Sequence, residues 1–157
     1  MFKEKIPKRL YNIIKSEFGF LALSYTWGII MSTIGSLIAI PFLFYCLYIK
    51  DICEQRGHCY YFKIGEGWGG FSLGPFCFIC KDASIETMEH EQGHSIQNCL
   101  YGPLMLIFSI CSVIRYHYRN FREYINKPCK TKYDDFWVEG QASKWGNELF
   151  NNAFRED

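Results

Sequence analysis

The chain has 157 residues and a formal net charge of +1. That length makes one domain with a modest core the expectation, and the near-balanced charge supplies no global field for nucleic acid. Its 14 Phe, 11 Tyr and 4 Trp, with much of the apolar content gathered in one block, suit a membrane-associated protein better than an ordinary soluble one.

Residues 1–17 carry Lys3, Lys5, Lys8, Arg9 and Lys15 against Glu4 and Glu17, while Ile6, Leu10, Ile13, Ile14 and Phe18 recur at helical spacing. Pro7 suits a first turn. The pattern reads equally as a basic amphipathic helix on an anionic membrane surface and as a helix packed on the domain.

Residues 18–49 contain no charged side chain. The part from Gly28 to Ile49 would be about 33 Å long as a helix, enough for a hydrocarbon core of about 30 Å. Trp27, Tyr45 and Tyr48 lie near its ends, where interfacial aromatics are favoured, and a membrane helix tolerates Pro41. The run is too long for a cleaved signal peptide and lacks a small-x-small exit. We expect a membrane anchor here, followed by a metal-binding domain over residues 50–157.

Cys59–Ile64 and Phe71–Cys80 are rich in aromatic and aliphatic residues and are separated by the turn-forming Gly65–Gly70. This pattern predicts a β-hairpin. Pro75 has no N–H for a ladder, so its strand is expected at an edge or with a bulge. Among the eight cysteines, Cys46, Cys99 and Cys111 fall in apolar or helical runs and read as inert thiols. Cys53/Cys59 and Cys77/Cys80 would suit disulfides in an oxidising compartment. On a strand, the C-x-x-C spacing of Cys77 and Cys80 sends the thiols to opposite faces, which is poor zinc-knuckle geometry.

Ser84 to Tyr101 predicts a helix. Ser84 can cap it, Glu86 and Glu89 place negative charge near its positive end, and Gly102-Pro103 stops it. Within it lies His90-Glu91-Gln92-Gly93-His94. Residues four apart share a helix face, so both imidazoles can reach one cation. Two neutral imidazoles suit Zn²⁺, and Glu91 is placed to act as general base on a water in the ion's open position. A polar helix with two solvated histidines is the plainer reading, but the bounded, capped helix favours the metal.

Leu104–Ile114 is apolar but only about 17 Å long as a helix, too short to span. A crossing there would also strand His94 and any later ligand on opposite sides. It is expected to be an interfacial, re-entrant or core helix. The following stretch, with Arg115, Arg119, Arg122, Lys127, Lys130 and Lys132 against Glu123, suits lipid headgroups or a solvated loop. Tyr133–Phe150 has helical spacing, with Phe136, Val138, Ala142, Trp145, Leu149 and Phe150 as buried contacts and Asp134 and Asp135 near its start.

Two histidines leave a catalytic zinc one protein ligand short. His58, His117, Asp134, Asp135, Glu139 and Glu148 are candidates. Glu139 is the best, because a carboxylate mid-helix among apolar neighbours needs a charge partner to justify its burial. His117 is the rival.

H-E-Q-G-H on one helix followed by Glu139-Gly-Gln-Ala142 on a later one resembles the gluzincin branch of zinc metallopeptidases. More narrowly, the chain is similar to short bacterial membrane-associated members. These share an H-E-x-G-H-S-x-Q segment, a preceding Gly-Gly-Phe-Ser-Leu-Gly strand (Gly69–Gly74), a Gly-Pro-Leu after the motif (Gly102–Leu104), and a later aromatic-rich helix bearing the acid. The resemblance covers roughly residues 58–150 and implies a mainly helical α+β, zincin-like minidomain with a hairpin before the motif helix. It implies Zn²⁺ on His90, His94 and Glu139, with Glu91 passing a water's proton to the leaving amine during peptide hydrolysis. An edge strand near the site would hold an extended peptide by main-chain hydrogen bonds. Tyr133, Tyr101 and His117 are possible oxyanion donors. Ser143 stands where such enzymes commonly have an aspartate that orients a zinc-bound histidine, with Asp135 or Glu148 as possible substitutes. The expected partners are a peptide or protein substrate and membrane lipid. The competing reading is a non-enzymatic membrane protein whose zinc serves folding or partner binding.

Overall fold

The computed structural model describes residues 5–47 and 52–150; Lys3, Glu4, Tyr48, Ile49 and the Phe150 side chain, named above, lie outside that description. Among the described residues the helices are α1 (Lys8–Ile14), α2 (Glu17–Tyr25), α3 (Ile29–Cys46), α4 (Ile85–Tyr101), α5 (Leu104–Tyr124) and α6 (Trp137–Phe150). The strands are β1 (Cys53–Arg56), β2 (Cys59–Lys63), β3 (Gly70–Leu73) and β4 (Phe76–Ile79). The fold is α+β, with one small mixed sheet.

The sheet runs in the order β1-β2-β4-β3. β2 pairs antiparallel with β1, and β4 lies between β2 and β3, parallel to the first and antiparallel to the second. This corrects the expected hairpin. Phe71–Cys80 does not fold back as one strand on Cys59–Ile64; it turns on itself at Gly74-Pro75, and its second half enters the sheet beside β2. Gly74 takes a left-handed φ of 63° against Ser32 of α3, a conformation and a closeness that only glycine accommodates. Pro75 therefore sits in a turn, where its missing N–H costs nothing and its carbonyl accepts from Tyr60 N at 2.9 Å.

Strand alternation sorts the core. Cys59, Tyr61, Cys77 and Ile79 join the main cluster with Ile96 and Trp145, while Phe62, Phe76 and Phe78 pack with Ala39 and Phe42 of α3. The sheet is thus sandwiched, with α3 on one face and α4 on the other, and α6 packs against α4.

The N-terminal segments belong to this body. Ile6, Leu10 and Ile14 are buried in the main core cluster, so protein covers that part of the N-terminal stripe, while Ile13 and Phe18 remain exposed. Ser16 Oγ caps α2 by accepting from Gly19 N at 3.1 Å, and Phe20 and Ser24 are fully buried. The uncharged stretch is interrupted at Thr26–Gly28, so among the described residues α3 is the one helix long and apolar enough to cross a membrane. Its Met31, Ser32, Gly35 and Ala39 face inward, whereas Ile30, Ile34, Leu37 and Phe44 are exposed.

Of the two readings of the basic stretch, the solvated loop fails over residues 115–124, which continue α5 with no glycine or proline to interrupt the chain between Leu104 and Tyr124. All eight cysteines are free. Cys53 lies opposite Phe62 and Cys59 opposite Arg56, placing those two thiols about three ladder steps, or roughly 10 Å, apart.

Candidate metal centre

α4 begins where Ser84 Oγ accepts from Thr87 N at 3.3 Å and ends at Gly102, whose φ of 53° closes the last turn with an N–H donated to Asn98 O at 2.9 Å. Between these caps His90 and His94 stand one turn apart with ring centroids 4.7 Å apart and planes at 89°. Their Nε2 atoms are 3.1 Å from each other.

α6 brings Glu139 to the same point. Its Oε2 lies 3.1 Å from His90 Nε2 and 3.2 Å from His94 Nε2. The two helices approach this closely because α4 has Gly93 against the Ala142 carbonyl and α6 has Gly146 against the Glu89 carbonyl; a Cβ at either glycine would collide with that backbone.

The three atoms suit one ion. Ligands about 2.0–2.1 Å from a tetrahedral zinc stand roughly 3.3 Å from one another, close to the triangle observed. The donor set is two imidazoles and one carboxylate, and the Glu139 side chain is only 2% exposed. Glu139 Oε1 and Glu91 Oε2 are buried without a hydrogen-bond partner, as carboxylates facing a cation and its water would be.

The electrostatics agree. Burial disfavours the Glu139 charge, but hydrogen bonds from His90 and His94 and the His94 charge outweigh it and hold the carboxyl well below its usual range. Burial likewise pulls His94 down, yet the hydrogen bond and charge of Glu139, with help from Glu91 and Gln97, raise it to about 9. Glu91 is pushed up, chiefly by burial; His94, His90 and a hydrogen bond from Ser72 oppose the rise. Gly70 and Ser72 belong to β3, and the absence of a side chain at Gly70 lets that edge strand lie directly against Glu91.

Both histidines are oriented from behind. Ser143 Oγ lies 2.8 Å from His90 Nδ1 and also donates to Glu139 O at 3.3 Å. Gln97 Oε1 lies 2.8 Å from His94 Nδ1. Sequence reasoning missed Gln97, although its place three residues after His94 put it on the same helix face. Tyr133 lies against Glu139 near Arg115; burial first, then the Glu139 charge, push its phenol far up.

Other expected residues go elsewhere. His117 is on the exposed face of α5 beside Tyr116, outside the site. Tyr101 donates to Gln141 Oε1 at 3.0 Å, behind the candidate ligands. Asp135 Oδ2 accepts from Lys132 N at 2.7 Å, and Glu148 Oε2 accepts from Ile6 N at 3.2 Å, while the side chain at His90 Nδ1 is Ser143. His58 packs on Phe20, with Nε2 3.3 Å from Lys15 O. Comparisons of the chain with protein-family models, with curated proteins and with solved structures find no match.

Proposed function

We propose that the chain is a zinc metallopeptidase held at a membrane through α3. The observation that carries the hydrolase reading is the His90–His94–Glu139 triangle, with sides of 3.1–3.2 Å, beside a buried and unpartnered Glu91 Oε2. A divalent ion in the triangle supplies Lewis acidity, which acidifies water and polarises a carbonyl.

The chain's own groups do the rest. Glu91, made more basic by burial, takes the proton of the attacking water and gives it to the departing amine. Tyr133 stays protonated and is the hydrogen-bond donor for the developing oxyanion. The free edge of β3, next to Glu91, aligns an extended peptide by main-chain hydrogen bonds. The His90 and His94 side chains remain 20% and 13% exposed, which leaves the site open on one side.

The deciding experiment measures metal by mass spectrometry and hydrolysis on a peptide library, using the purified full chain and Glu91→Gln. The expected result is one zinc in both proteins and turnover only with Glu91. Equal behaviour of the two proteins on every peptide would sink the hydrolase. A structural zinc is the second reading, favoured by the ligands joining α4 to α6 across their shared interface. It requires His90→Ala to unfold the domain while Glu91→Gln changes nothing.

A further inference from the structure

α5 is sharply two-sided. Met105 is its one buried residue, and Phe108, Ser112, Arg115, Arg119 and Arg122, at helical spacing, form a half-covered inner stripe toward α6 and the metal ligands. The outer face, roughly a third of a turn around the helix, presents Ile107, Ile110, Ile114, Tyr118 and Phe121, each more than half exposed, along a helix of roughly 31 Å. Nothing among the described residues covers that face.

Charge lies along its flank. Arg115 donates to Lys132 O at 3.1 Å, Arg119 to Thr131 O at 2.6 Å and Arg122 to Lys127 O at 2.7 Å. These bonds tie the loop after α5 alongside the helix and gather the exposed Lys127, Lys130 and Lys132 there, with Glu123 the sole acid between Arg115 and Lys132. α5 also starts from the corner where α3 starts: Trp27 donates to Leu100 O at 3.0 Å, and Gly102 lies against the Trp27 ring. Two uncovered apolar helix faces thus leave one corner. A fluid apolar phase covers both whatever angle they make, whereas a protein partner must be shaped for each.

We infer that α5 lies in the plane of an anionic leaflet, with Ile107, Ile110, Ile114, Tyr118 and Phe121 among the acyl chains and the basic flank at the headgroups. The inference rests on the membrane reading of α3 and deepens it. Because the inner stripe of the same helix packs on α6, which carries Glu139, through Phe108 on Trp137 and Arg115 on Phe136 at its start, the metal site lies about one helix diameter, roughly 10 Å, from the lipid. The substrate class is therefore polypeptide segments lying at the membrane surface.

The test uses the full chain in phosphatidylcholine–phosphatidylglycerol vesicles. Cys46, Cys53 and Cys129 are replaced by Ser, so that Cys111, exposed on the apolar side of α5, takes an environment-sensitive dye. A second protein carries the dye at Glu123→Cys on the opposite side, with Cys111 also replaced, and a third carries it at Ile114→Cys in the same background. Dyes at 111 and 114 are expected to be quenched several-fold more by chain-bound nitroxide lipids, and less by iodide, than the dye at 123. Equal iodide access at all three positions overturns the inference. So does shielding at 111 and 114 without lipid quenching, which means that a second copy covers the face. Alkaline carbonate extraction of the same vesicles reads α3 separately. Resistance to extraction with water-accessible dyes leaves the anchor and removes this inference; extraction of a protein whose dyes were lipid-quenched does the reverse.

Discussion

The amide oxygen of Gln97 lies 2.8 Å from Nδ1 of His94, while the amide nitrogen of the same fully buried side chain donates to Val138 O at 2.8 Å and Gln141 Oε1 at 3.0 Å. Those two donated bonds leave the amide one orientation. Nδ1 of His94 must then carry the proton, and Nε2 keeps its lone pair for the ion. Gln97→Leu is expected to weaken zinc binding by about 10–100-fold. Gln97→Glu keeps the acceptor and should retain most of the affinity, while losing about 1–3 kcal/mol of stability at the abandoned Val138 carbonyl. Competitive zinc titration and thermal melting read the two effects separately; equal zinc affinity in both variants would refute the orienting role.

Ser143 performs the matching task for His90 without a charge, through its 2.8 Å contact with Nδ1. Ser143→Ala should lower zinc affinity by about tenfold, near the bottom of the usual range for such partners. Ser143→Asp adds a carboxylate at the same ring nitrogen and should tighten binding beyond the natural protein. The comparison is made by chelator competition at one pH. Weaker binding by the aspartate variant would show that the crowding of Glu139 outweighs the gain at His90.

Zinc binding should depend on pH through His94. Its folded value of about 9 is raised above the ordinary 6.5. In the metal-free protein, the stability this contributes is fully present below pH 6.5 and is lost as pH rises through about 9. The ion displaces that proton, so affinity should rise about tenfold per pH unit below 9, or about a hundredfold between pH 7 and 9. Glu139 works in the opposite range: its depressed value adds stability above the ordinary 4.5 that is lost as pH falls further into acid. Calorimetry at pH 7 in two buffers of different ionisation enthalpy should report close to one proton released per zinc from His94. No release would mean that Glu139 does not hold His94 charged.

Much of the centre was legible in the sequence because it depends on local spacing. His90, Glu91 and His94 follow from helical period, and Glu139 from the oddity of an acid inside an apolar stripe. The sheet order was not legible. Whether Phe76–Ile79 pairs parallel or antiparallel with Cys59–Lys63 depends on a turn at Gly74-Pro75 and on Ser32 of a distant helix. The N-terminal stripe of Ile6, Leu10 and Ile14 was equally ambiguous, since an apolar face looks the same whether lipid or Trp145 covers it. His117 failed for a related reason: helical phase puts it on the outer side of α5, and phase was not assignable while the extent of the helix beyond Ile114 was open.

Gly93, the fourth residue of the motif, is the position where packing and chemistry meet. A Cβ there would strike the carbonyl of Ala142, so only glycine lets α6 lie where the Glu139 carboxylate reaches both rings. Gly93→Ala should normally help an exposed helix by about 1 kcal/mol. Here overpacking against backbone should reverse the sign and cost about 1–3 kcal/mol. Pushing α6 away also opens the triangle whose sides are now 3.1–3.2 Å, so zinc affinity should fall along with the melting temperature. Gly140→Ala is the control: its Cβ meets the Asp134 carbonyl, outside the α4 interface, and any loss of stability there should leave zinc affinity nearly intact. The two variants are compared by melting temperature and by zinc titration of the fraction that stays folded. If folded Gly93→Ala binds zinc as tightly as the natural chain, the α4–α6 approach does not set the ligand geometry.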